Sequence, residues 1–299
     1  MNILTTPESR FKDLRDYPFK PNYHEVDTGL NMHYLDEGRG SVVLLLHGEP
    51  SWSYLYRKMI PVLVNAGFRV IAPDLIGFGK SGKPDKQEDY SYKKHLDWLK
   101  ALLFKLGLKN INLFCQDWGG LLGLRIVGDD ESLFSTITVS NTFLPRTGIP
   151  ANEAFKKWRH FSQTSPRFSC GRVVQMATVS NLPDEVIAAY EAPFPDDTYK
   201  AAARVFPTLV PFDGEDPDYE IHNCDKAWKT LENWNKPFLT LFGDSDPIMK
   251  DGDVFFQMKV PGAQGQAHQI IKDGGHFIQE EKGEELARLM VDFIETNKS

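Results

Sequence analysis

Leu113-Phe114-Cys115-Gln116-Asp117-Trp118-Gly119-Gly120 (residues 113–120) begins as an apolar strand and runs directly into a segment that can be helical. A strand that turns at once into a helix lifts the residue at the bend above a sheet. The backbones two residues before and two residues after such a bend nearly touch, so small side chains are expected there. Gly119 meets that demand, and Cys115 is larger, which tightens the turn without forbidding it. The bend itself holds Asp117. A carboxyl with a reference pKa of about 3.9 is ionised at neutral pH and can attack without a base. It suits displacement at a saturated carbon, which leaves an alkyl ester on the protein. Attack on a carbonyl would give an anhydride, a poor intermediate. Asp is also a common cap for a following helix, so Asp117 has two readings that the rest of the chain must separate.

On both sides of this stretch, short apolar runs alternate with helical patterns. Val42–Leu46 is apolar at every position, as a strand buried on both faces should be. Arg69–Pro73 and residues 111–115, 136–139, 237–243 and 268–271 are further strand candidates. Residues 23–26 and 31–35 flank the turn Asp27-Thr28-Gly29 as a hairpin. Between residues 92 and 106, Leu96, Leu99, Leu103 and Leu106 recur at three and four residues, and Leu286, Leu289, Met290, Phe293 and Ile294 repeat the pattern at the end. Strands alternating with helices predict a mostly parallel sheet flanked by helices. The alternation fails between residues 146 and 225, a helical stretch rich in aromatic residues and prolines. The expected organisation is therefore an α/β core in two parts, residues 1–145 and 226–299, with a helical cap at 146–225. A cap of that kind covers the carboxyl ends of the strands, where such sheets bind ligands.

Composition narrows the function classes. A length of 299 residues suits one large α/β domain carrying an insertion. The formal charge of -7 argues against nucleic acid or an anionic membrane as partner. No run approaches the roughly 20 apolar residues of a membrane span, and the amino terminus lacks the apolar core of a secretory signal. Cys115, Cys170 and Cys224 are scattered and odd in number, so neither a disulfide framework nor a metal cluster is expected, and a cytoplasmic location is. Gly77-Phe78-Gly79-Lys80-Ser81 lacks the spacing of a phosphate loop or a dinucleotide fingerprint and reads as a turn. The acidic stretch 213–218 does not follow the calcium-loop pattern and reads as a solvated loop.

Three further segments carry chemistry. Leu46-His47-Gly48-Glu49-Pro50 closes the first buried strand, where a loop can lend a backbone N–H to an oxyanion; the N–H of the residue after the bend is the natural second donor. Those donors would be Glu49 and Trp118. Asp273-Gly274-Gly275-His276-Phe277 follows the last strand, and a histidine on that glycine-supported loop can reach the bend. Leu241-Phe242-Gly243-Asp244-Ser245-Asp246-Pro247 offers two acids. Asp244 sits directly after the strand's glycine and can cap a turn; Asp246 lies further along, where it can face His276, and is preferred. The order nucleophile, acid, histidine is that of the α/β-hydrolases.

The set His47-Gly48-Glu49-Pro50, Gln116-Asp117-Trp118-Gly119-Gly120, Asp246 and His276 resembles haloalkane dehalogenase over nearly the whole chain. The likeness extends through residues 51–59 and into Ala192-Pro193-Phe194-Pro195, and Asn141 fits the branch whose acid follows the penultimate strand. It implies an α/β-hydrolase fold with an inserted helical cap, and hydrolysis of small halogenated alkanes to an alcohol and halide. Asp117 would be the nucleophile, with His276 and Asp246 serving ester hydrolysis. The halide would lie between the indoles of Trp118 and Trp158, the latter in Phe155-Lys156-Lys157-Trp158. An indole N–H donates one hydrogen bond, accepts none and carries no charge, so it steadies halide without neutralising Asp117. Phe155, Phe206, Pro207 and Val210 resemble the family's apolar substrate walls. The expected partners are a small halogenated alkane, water and halide, acting on a monomer, with no cofactor or metal. The nearest rival is an epoxide hydrolase, which needs a proton donor for the ring oxygen; Tyr190 and Tyr199 are available, but no motif surrounds them. No serine stands at the bend to support an esterase, and intact catalytic positions disfavour a binding-only receptor.

Overall fold

The computed structural model describes residues 1–215, 220–249 and 251–298, so residues 216–218 of the acidic stretch lie outside the described residues. Eight strands form the central sheet: β2 (Asn22–Asp27), β3 (Leu30–Gly38), β4 (Val42–Leu46), β5 (Arg69–Pro73), β7 (Ile111–Gln116), β8 (Phe134–Ser140), β9 (Phe238–Gly243) and β10 (Gln269–Ile271). Their order is β10-β9-β8-β7-β4-β5-β3-β2. Every pairing from β5 through to β10 is parallel, whereas β3 runs antiparallel to both β5 and β2. The chemistry of each strand follows its place. All six residues of β7 are buried, because helices cover both faces, while β2 alternates half-buried and exposed positions at the open edge. Each leucine fully buried in β4 contributes about 1.5–3 kcal/mol relative to an exposed one.

Helices α1 (Met59–Asn65), α2 (Tyr92–Lys105), α3 (Trp118–Asp129), α8 (Glu220–Leu231), α9 (Gly252–Lys259) and α10 (Ile278–Thr296) flank the sheet. Ser91 caps α2 through its hydroxyl, and Leu96, Leu99, Leu102 and Leu103 bury one face of it. Helices α4 (Glu153–Thr164), α5 (Cys170–Met176), α6 (Asp184–Glu191) and α7 (Ala201–Leu209) fill the interruption, with α4 packed on α7 and α5 on α6. No strand occurs there among the described residues.

Two features depart from the sequence expectation. A separate two-stranded ribbon pairs β1 (Ile3–Leu4) with β6 (Lys83–Pro84), each too short to leave a periodic signature. The cap border expected at residue 225 falls inside α8. That helix lies on α3 so closely that a Cβ on Gly128 would come 2.4 Å from that of Ala227, and Arg125 meets Glu220 at 2.9 Å in the buried contact. By its packing α8 belongs to the layer beside the sheet.

Candidate active site

The site grows from the bend at the end of β7. Asp117 has φ 48° and ψ -124°, a conformation that L residues avoid unless the surroundings impose it. A Cβ on Gly119 would stand 2.0 Å from the carbonyl oxygen of Leu46, so only glycine allows α3 to start this close to β4. The bend is further held by Asp117 N–H donating to the Asn141 carbonyl at 3.1 Å and by the Thr142 hydroxyl donating to the Asp117 carbonyl at 2.7 Å. Cys115 fits fully buried between these strands. Asp117 does not cap α3 through its side chain; its carboxylate turns instead towards the loop after β4. There Glu49 N–H donates to Asp117 Oδ1 at 2.8 Å, while Oδ2 lies 3.5 Å from His276 Nε2. Trp118, the first residue of α3, brings one of the N–H groups that a helix start leaves without an intrahelical partner.

His276 sits on the loop between β10 and α10, and its Nδ1 stands 2.6 Å from Asp246 Oδ2. Asp246 is nearly fully buried. Burial opposes its charge, but His276 and the backbone N–H groups of Ile248 and Met249 outweigh burial and hold the carboxyl below its ordinary pKa. Asn141 donates to Asp246 Oδ2 at 2.9 Å and to the Gly275 carbonyl at 3.0 Å, joining the acid loop to the histidine loop. Asp244 is exposed, accepts from the Ser245 hydroxyl, and makes no contact with His276. Burial also opposes charge on His276, yet Asp246 and Asp117 together raise its pKa to about 10. Gln116 Nε2 lies 3.1 Å from His276 Nε2 and donates to the His276 carbonyl at 3.2 Å, which helps hold the ring in place. Glu49 is buried, and its Oε1 has no hydrogen-bond partner among the described residues. Burial, helped by the nearby Asp117 charge, pushes its pKa well above the usual range and favours the neutral acid.

These groups open onto a cavity of about 270 Å³. Asp117, Glu49, Asp246 and His276 form its polar floor, and Phe155 and Trp158 reach it from α4. Their spacing of three puts both on one helix face, and Asn152 fixes that helix start by accepting from Phe155 N–H at 2.8 Å. The expected wall residues divide. Phe155 borders the cavity, but Phe206, Pro207 and Val210 do not. Phe206 stands one layer back, its ring 4.5 Å from that of Trp118, and Tyr92 supports Trp118 from another side. Trp118 is buried and does not border this cavity, whereas Trp158 is half-buried at its wall. Neither indole N–H has a hydrogen-bond partner among the described residues. The remaining apolar wall comes from residues not singled out in the sequence, chiefly Val173, Met176 and Val179 around α5. Single apolar positions in a cap helix do not announce which face meets the sheet. Gln116 and Thr142 were equally silent, since their roles depend on neighbours distant in sequence. Tyr190 is turned away, donating its hydroxyl to Glu280 Oε2 at 2.6 Å, and neither it nor Tyr199 borders the cavity.

Comparison with known proteins identifies the family and fold. Residues 41–169 match the family described as the alpha/beta hydrolase fold. The chain is 52% identical to a haloalkane dehalogenase of Psychrobacter cryohalolentis, covering 99% of both chains. It is 49% identical to a haloalkane dehalogenase of Mycolicibacterium paratuberculosis, covering 96% of each. Among solved structures it is similar to a haloalkane dehalogenase of Paraglaciecola agarilytica NO2, described as tetrameric, with a TM-score of 0.87 and 38% identity over 96% of this chain and 97% of that one.

Proposed function

The chain belongs to the haloalkane dehalogenases of the α/β-hydrolase fold and hydrolyses halogenated alkanes; from that premise we propose that the reaction passes through an alkyl ester on Asp117. The observation that carries this reading is the division of labour on one carboxylate: Oδ1 is held by Glu49 N–H, and Oδ2 faces the cavity near His276. In the first step Oδ2 attacks the carbon bearing halogen, a C–O bond forms, and halide leaves with the bonding electrons. The Trp158 indole at the cavity wall donates to that halide, and the Trp118 indole, next to Asp117 in the chain though not bordering the cavity, is assigned as the second donor. In the second step His276 takes a proton from water, and hydroxide adds to the carboxyl carbon of the ester. Oδ1 then carries the negative charge, met by the N–H groups of Glu49 and Trp118. On collapse His276 returns its proton to the departing alkoxide, which leaves as the alcohol. Asp117 releases the remaining proton to solvent, so water is the sole co-reactant and one proton is released with each halide. Timing follows from electrostatics. In the free protein two carboxylates favour the imidazolium, but esterification removes the charge of Asp117, which lowers the pKa of His276 when a base is needed.

The epoxide-opening alternative lacks support, because the Tyr190 hydroxyl is committed to Glu280 outside the cavity. We assign the cap to residues 146–215, of which the helices are α4 to α7, and α8 to the core. Three buried free cysteines suit a reducing compartment, which supports a cytoplasmic location. A monomer of 34.0 kDa remains our expectation, and its mass in solution distinguishes it from an assembly. The activity test is halide release from chlorinated, brominated and iodinated alkanes, with diol formation from epoxides followed in parallel. Stoichiometric halide and alcohol are expected; efficient diol formation without halide release would overturn the reading.

A further inference from the structure

The histidine loop is fastened to the cap as well as to the core. His276 N–H donates to the carbonyl of Ala177 at 2.8 Å, and Ala177 lies in the cap just after α5. Contact there is tight: a Cβ on Gly275 would stand 2.6 Å from Ala177 O and 2.9 Å from Thr178 Cα. Glu281, in the first turn of α10, closes the junction. Its Oε2 accepts from Gly275 N–H at 2.7 Å, and its Oε1 accepts from Ser180 N–H at 2.7 Å and from the Ser180 hydroxyl at 2.9 Å. The preceding Glu280 anchors the same turn, accepting from Arg57 of the core at 2.8 Å and from Tyr190 of α6 at 2.6 Å. Two adjacent carboxylates therefore join the start of α10 to the core, the cap and the loop that carries the imidazole. Ala177, Thr178 and Val179 also border the cavity, and Val179 is half exposed at 51%. The backbone of His276 is thus tied directly to this cap turn.

We propose that Glu281 is a positioning residue, fastening the cap turn at residues 177–180 to the histidine loop so that His276 keeps its place during ester hydrolysis. The inference rests on the two-step reading above and adds a residue that touches neither substrate nor the reacting atoms. Its signature is a loss confined to one step. Alkylation needs only Asp117 and the halide donors, whereas hydrolysis needs the imidazole aimed at water, and a misplacement of about 1 Å costs on the order of 100-fold.

Rapid-quench measurement with a small brominated alkane separates the steps. For Glu281→Gln, which keeps one acceptor and sets an NH2 group against the other donors, the halide burst should persist at nearly the parent rate. Ester hydrolysis should slow by about 10- to 100-fold, and Ser180→Ala, which removes one of three donors, should slow the same step less. Hydrogen exchange supplies a readout apart from activity: the His276 amide should exchange faster in Glu281→Gln while the β7 amides remain protected. Equal slowing of both steps, unchanged hydrolysis, or unchanged exchange at His276 would overturn the proposal. If Glu281→Gln fails to fold, Ser180→Ala alone decides, by the presence or absence of a selective slowing of hydrolysis. Absence of an accumulating ester in His276→Phe would instead defeat the two-step reading itself, so the two failures are distinguishable.

Discussion

Individual side chains set the two steps apart. Trp158→Phe keeps an aromatic body at the cavity wall and removes the N–H. Loss of one preorganised donor at a developing oxyanion costs about 2.7–4 kcal/mol, roughly 100- to 1,000-fold in rate. Halide is larger and its charge more diffuse, so the low end of that range or somewhat less is expected, in alkylation and not in ester hydrolysis. Pre-steady-state halide release and halide titration of indole fluorescence measure it; an unchanged alkylation rate and halide affinity would remove Trp158 from the site. The acids form a second contrast. Asp246 lies 2.6 Å from His276 and Asp244 points to solvent. Asp246→Asn should therefore slow ester hydrolysis severely, since the imidazolium formed in that step loses its charged partner. Asp244→Asn should turn over nearly as the parent does, and the reverse ranking in steady-state assays would reassign the acid. In the sequence, loop position and the order nucleophile, acid, histidine favour Asp246, and Asp246 is the one of the two that lies beside His276. The wall residues were not legible in this way: Phe206 is apolar and in the cap, yet its ring backs Trp118 without reaching the cavity.

At the scale of elements, the junction of β7 and α3 carries the site. Gly→Ala within a helix usually stabilises by about 1 kcal/mol. At Gly119 the sign should reverse, because the added methyl would stand 2.0 Å from Leu46 O and force β4 and α3 apart. Overpacking of this kind costs about 1–3 kcal/mol or more, and the same displacement would move Glu49 N–H away from Asp117. Thermal melting of Gly119→Ala should show a lower midpoint; a higher one would mean that the bend does not depend on this close approach. The strands were legible because those covered on both faces are largely apolar, as Val42–Leu46 is throughout and Ile111–Gln116 is except at Asn112 and Gln116. The short β1–β6 ribbon was not legible, since its pairing rests on backbone bonds between distant two-residue segments. The contribution of the end of α5 and the turn after it was hidden for a related reason: Met176 and Val179 are largely exposed and still line the cavity.

Across the whole molecule, the proposed reading takes the reacting groups from loops at the ends of the sheet strands, and the apolar wall and one indole from the inserted helices. The loops after β4, β7, β9 and β10 converge at one end of the sheet, which is why residues as far apart as Glu49 and His276 share a cavity. The interruption in strand-helix alternation is what suggests a cap, and the border expected at residue 225 falls inside α8. Periodicity finds α8 without telling that Ala227 packs on Gly128 and so joins the core layer. No helix of the described residues is long and apolar enough to cross a membrane. The central claim is a covalent ester on Asp117 that His276 is needed to hydrolyse, and His276→Phe tests it most directly. Mixed with excess brominated alkane, the variant should release about one equivalent of halide per protein and then stop. Intact mass should rise by one alkyl group, and peptide mapping should place that group on Asp117. Continued multiple turnover by the variant, or an adduct on another residue, would contradict the account.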